Sequence, residues 1–191
     1  MPKNHPAVTR LLWVNSVFYI PIFLICFILP GYPQTALDFA IDDMLDNQLF
    51  GRVGFWSSLF PFNSKAAANY SAVFGPLLTA YSIFTAFKTE KDPEQIKKIA
   101  QLTTRRYLAV LIGGTLFFIF LACTFYLISH DLGTSTGKYG NLFGKNALLY
   151  SFHHSLMSST MFSLAPLFVC SFYYSIPRFK IERWLSKRQK N

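Results

Sequence analysis

The pair His153–His154 is the first place where the residue types of this chain could support chemistry. An imidazole titrates near neutral pH and binds metals, so two neighbouring histidines suggest a proton relay or a metal site. Both lie in an uncharged run, residues 146–177, and the long apolar segments supply no Asp, Glu or Lys to pair with them. A structural or interfacial role is therefore the favoured interpretation, and an enzyme with these histidines in its site is the alternative.

A cluster of aspartates between the first two apolar runs is the second candidate. Its members are Asp38, Asp42, Asp43 and Asp46. Four carboxylates could suggest a site for a hard cation, but the segment DFAIDDMLD has neither the spacing of an EF-hand loop nor a glycine at its turn. We therefore expect no metal ion here.

The same segment has the pattern of an amphipathic helix. Thr35 and Asp38 have capping-box spacing, and the apolar residues that follow recur at helical intervals. The pattern predicts a helix near residues 36–50 in an outer loop. Its acidic face is either solvated or used to recognise a partner. The candidate contacts on that face are Asp42, Asp43 and Asp46.

The remaining motifs do not indicate catalysis. GTSTGK, within residues 130–145, lacks the spacing of a phosphate-binding loop and follows no predicted strand. Cys26, Cys123 and Cys170 show no CxxC spacing and suit small buried residues. Because no Ser/His/Asp motif or zinc signature occurs either, we expect no enzyme, no cofactor and no small-molecule substrate.

Four long uncharged runs dominate the composition. Charged residues make up 14% of the chain and aromatic residues 18%, whereas soluble domains carry about 25% charged residues. A helix that spans about 30 Å of hydrocarbon needs about 20 apolar residues. The runs therefore predict an all-α membrane protein with a single domain, residues 1–191, and four transmembrane helices. These are expected at residues 11–30, 69–87, 107–129 and 149–176.

The basic residues predict an orientation for these spans. The segment 88–106, between the second and third spans, holds six Lys or Arg. If it is cytoplasmic, both termini are cytoplasmic too, and that side carries fourteen basic residues against four on the other. We attribute the net charge of +9 to this topology and to attraction by anionic lipid, and we expect no nucleic-acid partner.

Small residues recur at intervals of four on three of the predicted helices. The rows are Ser71, Gly75 and Thr79; Ala109 and Gly113; and Ser151, Ser155, Ser159 and Ser163. Small side chains let helices approach closely. The serine stripe is therefore predicted to be the main packing seam of the bundle, or else the surface that receives a partner.

Two segments carry a resemblance. NYSAVFGPLLTAYSIFTAFKTEK is similar to a Tyr…Pro…Phe/Tyr-Lys segment, and DLGTSTGK resembles an acidic-Leu-Thr-Thr-Ala-Gly stretch, with Gly133 and Ser135 as differences. Asn146, the hydroxyl-rich fourth helix and the ending Lys187-Arg188-Gln189 fit as well. The family with these features is that of the membrane-embedded immunity proteins against pore-forming colicins, of the type that protects against colicins A, B and N.

The resemblance implies a multi-pass protein of the bacterial inner membrane. Such a protein would bind the pore-forming domain of a cognate bacteriocin in the bilayer and block channel opening. Outer-loop residues would select the toxin, with Thr134 and Thr136 as candidate contacts beside Ser151, Ser155, Ser159 and the aspartates. The alternative is a small membrane transporter or channel subunit, for which ionisable residues are expected near the midplane; the predicted spans contain none.

Overall fold

Helical segments account for most of the chain that the computed structural model describes, namely residues 6–88 and 104–175. In chain order the elements are α1 (Pro6–Ile28), α2 (Ala36–Asn47), β1 (Gly54–Trp56), α3 (Pro61–Lys88), α4 (Thr104–Tyr126), β2 (Ser129–Asp131), α5 (Lys138–Phe143) and α6 (Ala147–Ser175). The long helices α1, α3, α4 and α6 form a bundle, and the shorter elements gather at one of its ends.

Helices α3 and α6 form the centre of this bundle. The Tyr150 hydroxyl lies 3.0 Å from the Ser64 carbonyl oxygen, and His154 contacts Ser71 further along, so the two helices run parallel. A small residue on α3 permits the close approach, because a Cβ on Gly75 would collide with the ring of Phe162. The row of small residues predicted on this helix therefore includes the contact with α6.

Helix α1 runs antiparallel to α3 and packs on both central helices. Phe18 contacts the ring of Tyr70, with the centroids 5.4 Å apart, and the Asn63 amide donates to the Cys26 carbonyl at 3.2 Å. Ile22, between these two contacts, is fully buried. Helix α4 lies at the periphery and packs mainly on α6, through buried residues near its C-terminus.

A cap, defined here as residues 48–60 and 127–146, closes one end of the bundle. Strands β1 and β2 pair in parallel within it, with Gly54 opposite Ser129. Gly54 has a φ of +61°, a left-handed conformation that glycine adopts without strain. The pairing joins the chain before α3 to the chain after α4. No strand is predicted from the sequence, because each has only three residues and shows no extended alternation.

A helix is present near residues 36–50 as α2, which ends at Asn47. The Thr35 Oγ1 accepts the Asp38 N–H at 3.2 Å, and the Asp38 carboxylate accepts the Thr35 N–H at 2.9 Å. This reciprocal pair is the capping box that the spacing predicts. Leu45 is the buried residue of α2 and packs on α3.

The prediction of four transmembrane helices is wrong. Within residues 6–88 and 104–175, no helix is both long and apolar enough to cross a membrane. The long helices overlap the predicted segments, but these contain polar side chains, such as Asn69 in α3 and His154 in α6. Absence of charge is not sufficient for a transmembrane span, because amides, hydroxyls and imidazoles also lower the mean hydropathy of a segment.

The predicted inner-membrane location and the predicted orientation of the spans depend on these transmembrane helices, so both are wrong as well. Much of the basic asymmetry came from residues 89–103 and 176–191, which lie outside the described residues, as does the side chain of Ser163.

Candidate functional site

The serine stripe of α6 turns into the bundle. Ser151 and Ser155 are buried, Ser159 is half-buried, and Ser158 is completely buried. A repeat of four residues drifts by about 40° per step around an α-helix. The inward position therefore passes from Ser155 to Ser158. As the chain is folded, Ser151 and Ser155 are internal side chains and do not offer a surface to a partner.

His154 is fully buried beside the stripe. Its Nε2 lies 2.9 Å from the Oγ of Ser71, and its ring stacks on Tyr150 with the centroids 5.6 Å apart. Burial and, to a smaller extent, the neighbouring His153 together lower the pKa of His154 to about 3. The imidazole is therefore neutral at pH 7 and connects α6 to α3.

His153 is half-buried between rings that belong to the cap. It stacks on Phe143, with the centroids 4.7 Å apart, and meets Phe55 edge-on at 5.3 Å. Burial lowers the pKa of His153 as well. Both histidines thus pack as aromatic side chains. In the described part of the chain, no three His, Cys, Asp or Glu residues lie close enough to hold a metal ion.

Asp131 fastens the two connections of the cap to each other. Its Oδ1 accepts the backbone N–H groups of Ser58 and Gly133, each at 2.8 Å. Burial alone would raise the pKa of Asp131, but these hydrogen bonds outweigh it and the pKa lies below its ordinary value. The acidic residue at the start of DLGTSTGK therefore has a structural role in this fold.

Two further hydrogen bonds lie within the cap, and a third holds the cap on the bundle. The Trp56 indole N–H donates to the Ser129 hydroxyl at 2.9 Å. The Ser57 hydroxyl donates to the Gly144 carbonyl at 2.6 Å, and the Tyr150 hydroxyl donates to a carbonyl of β1 at 2.7 Å. These bonds join segments distant in sequence, so the cap has one defined arrangement. Thr134 and Thr136 are exposed on it.

The aspartates of α2 divide into two groups. Asp42 and Asp46 both pair with Lys65 of α3, whose side chain is only 5% exposed. Asp43 points outward, and its Oδ1 accepts the Asn47 side-chain amide at 2.7 Å. Two of the three candidate contacts thus hold α2 on the bundle. Asp43 and the exposed threonines lie on the surface while the serines lie inside, so these candidates do not form one site.

Sequence reasoning missed the residues that position α2 and the cap. Lys65 stands alone in a run of small residues and follows four aspartates, a pattern that could have indicated an ion pair. Asp131 is the sole acid between residues 104 and 175, a signal that could have marked it. Ser158 was missed because the stripe was followed at a fixed interval of four.

Apolar helix faces are the largest surface feature of the described residues. Two runs of large apolar side chains, each side chain 46% to 73% exposed, follow the outer sides of α1 and α4. We name them the apolar faces; they consist of Trp13, Val17, Ile20, Leu24, Phe27 and Ile28 on α1, and Leu108, Ile112, Leu116, Phe117, Ile119 and Phe120 on α4. Apolar patches of this extent mark interaction surfaces.

Comparison with known proteins gives no match: no protein-family model, no curated protein and no solved structure is significantly similar to this chain. The resemblance to colicin immunity proteins therefore has no support from a family or a homologue.

Proposed function

We propose that this chain is an immunity protein that binds the pore-forming domain of a bacteriocin and prevents its channel from opening. The observation that carries the proposal is the pair of apolar faces on α1 and α4. The resemblance noted in the sequence points in the same direction.

The chemistry of such a partner matches these faces. A segment that forms a channel must present a helix with about 20 predominantly apolar residues. Apolar contact is favourable by about 25 cal/mol for each Å² removed from water. Side-by-side packing of such a helix on α1 or α4 would cover side chains that the bundle leaves exposed, and it requires no catalytic group.

The position of α4 suits this role. Its buried side chains, Leu121 and Phe125, lie near its C-terminus, while Leu108, Ile112 and Leu116 remain exposed along the preceding turns. Apart from neighbouring residues of its own helix, no described residue has an atom within 4 Å of a Cβ placed on Gly113. A partner helix could therefore approach the backbone of α4 closely at this glycine without displacing any described residue.

A survival assay tests the function. Sensitive bacteria that produce the full chain are challenged with purified pore-forming colicins of the A, B and N type, with a nuclease bacteriocin as the control toxin. We expect survival and retention of cellular potassium for at least one pore-forming toxin, and no protection against the nuclease. Full sensitivity to every pore-forming toxin, at a verified level of the protein, would refute the proposal.

A matched pair of leucine substitutions on α4 tests the surface. Leu116→Ser changes a side chain that is 62% exposed, and Leu121→Ser changes one that is 4% exposed. Leu116→Ser should weaken protection without lowering the melting temperature. Leu121→Ser should lower the melting temperature, because it removes core packing. Unchanged protection by a folded Leu116→Ser, Ile112→Ser double variant would exclude this face of α4 from the contact.

A further inference from the structure

Helix α2 has an outward face that the bundle does not cover. Around the helix, Phe39, Asp43 and Asn47 follow one another at intervals of four and lie away from the buried Leu45, and Met44 lies at the edge of this face, about 100° around the helix from Asp43. Phe39 is 60% exposed and Met44 is 39% exposed. The face therefore presents an aromatic and a thioether side chain next to a carboxylate.

The inner side of α2 holds this face in a fixed orientation. Lys65 pairs with Asp42 and Asp46, Leu45 packs on α3, and the capping box closes the first turn. The Asn47 amide also fixes the carboxylate of Asp43. A surface held in this way loses little conformational freedom when a partner binds, and this favours affinity.

The charge on α2 is opposite to that of the chain. The chain has a net charge of +9, yet four of the five acidic residues in residues 6–88 and 104–175 lie on this helix. Lys65 compensates part of that charge on the inner side. Asp43 remains on the outer side. In the first turn of the same helix, backbone hydrogen bonds from Thr35 and Gln34 lower the pKa of Asp38, which therefore stays ionised.

We infer that the outward face of α2 selects the toxin, by binding an apolar segment flanked by Lys or Arg on its pore-forming domain. The inference rests on the proposed function and adds the chemistry of recognition to it. Phe39 and Met44 supply apolar contact, and Asp43 discriminates by charge. A second copy of this chain is the poorer occupant, because a twofold contact through the same face would bring Asp43 against Asp43.

Binding measurements on the full chain test this inference. The probe is the isolated pore-forming domain of the toxin against which the wild-type chain protects. Phe39→Ser should weaken binding by roughly 30-fold, as for an aromatic anchor. Asp43→Lys should slow association by about tenfold at 0.1 M salt. That difference should shrink at 1 M salt, where the screening length falls from about 10 Å to about 3 Å.

Two substitutions on the outer side of α3 serve as controls. Leu77→Ser removes an apolar side chain that is 63% exposed, and Ala80→Lys adds a positive charge at an exposed position. Both should leave the affinity within about threefold of wild type, in line with near-neutral surface positions. Melting temperatures of all four variants establish that α2 and the bundle stay folded.

The outcomes separate the inference from the function on which it rests. Protection by the wild type, with binding unchanged in folded Phe39→Ser and Asp43→Lys variants, overturns the role of α2 and leaves the proposed function standing. A wild-type dimer that Asp43→Lys dissociates would assign the face to a second copy and also overturn the inference. Failure of the wild type to protect against any pore-forming toxin overturns both.

Discussion

The Nε2 of His154 lies 2.9 Å from the Oγ of Ser71, and both side chains are completely buried where α6 meets α3. The contact joins residues that are 83 positions apart in the chain. A polar pair in such a place is favourable only while both partners are present, because a buried group that loses its partner carries its full desolvation cost. The histidine that first suggested chemistry thus stabilises the bundle.

The pH dependence of stability should report on His154. An unfolded imidazole binds a proton below about pH 6.5, whereas burial keeps the folded one neutral down to about pH 3. Above pH 6.5 the neutral, buried His154 makes its full contribution to the free energy of unfolding. As the pH falls below that value, the unfolded state binds more protons and the free energy of unfolding decreases, by up to about 1.4 kcal/mol per pH unit.

Urea unfolding between pH 7.5 and pH 5 measures this effect. His154→Gln, whose amide can still reach Ser71, should flatten the dependence, while the exposed His130→Gln should retain it. The range stays above the titration of ordinary carboxyl groups, which begins below about pH 5. A His154→Gln curve parallel to that of wild type would show that this imidazole is not held neutral.

The two glycines in rows of small residues should respond oppositely to alanine. A Cβ on Gly75 would collide with the Phe162 ring, so Gly75→Ala should cost about 1–3 kcal/mol through overpacking. Among the described residues outside its own helix, none lies within 4 Å of a Cβ on Gly113, so Gly113→Ala should gain up to about 1 kcal/mol from helix propensity. Thermal unfolding of both variants measures the difference; equal effects would contradict the packing of α3 on α6.

The attachment of α2 should depend on two of its aspartates and not on the third. Replacing both Asp42 and Asp46 by Asn leaves Lys65 without a charged partner at 5% side-chain exposure. The cost should be about 1–3 kcal/mol, below that of a fully buried pair, because the aspartates are 28% and 46% exposed.

Asp43→Asn is the matched control for that double variant and should change stability by less than about 0.5 kcal/mol. Hydrogen exchange locates the effect, since the amides of α2 should lose protection before those of α3. Equal loss of protection throughout the bundle would mean that the lysine supports more than the docking of α2.

Neighbouring serines on α6 should tolerate leucine differently. Ser158 is completely buried and Ser159 is half-buried. Ser158→Leu should lower the free energy of unfolding by about 1–3 kcal/mol, because the added carbons have no space between packed helices. Ser159→Leu should cost less, and the melting temperatures decide between them. A larger cost for Ser159→Leu than for Ser158→Leu would show that the packing seam follows the strict interval of four residues.

The features of this fold that depend on neighbouring residues can be predicted from residue types. Thr35 and Asp38 predict the start of α2, and the structure contains their reciprocal hydrogen bonds, because a capping box involves only four consecutive residues. The long helices likewise follow the apolar runs. The prediction that they are transmembrane spans is wrong, because absence of charge alone does not make a described helix long and apolar enough to cross a membrane.

The candidate site was less predictable, because burial depends on contacts between distant residues. Asp42, Asp43 and Asp46 are equivalent in sequence, yet Lys65, 19 positions beyond Asp46, pairs with the first and third. Nothing in the local pattern indicates which carboxylate faces α3. The serines pose the same problem, because a small helical drift decides whether the inward side chain is Ser158 or Ser159.

The sequence by itself determined the helical segments, the capping box of α2 and the small residues that allow close packing, since each depends on neighbours within a few positions. Only the tertiary structure decided that β1 pairs with β2, that Asp131 fastens the cap and that His154 is neutral and buried. These features arise from contacts across more than 70 residues. Such contacts exist only after the chain has closed upon itself, and the free energy of burial then fixes which polar groups are paired.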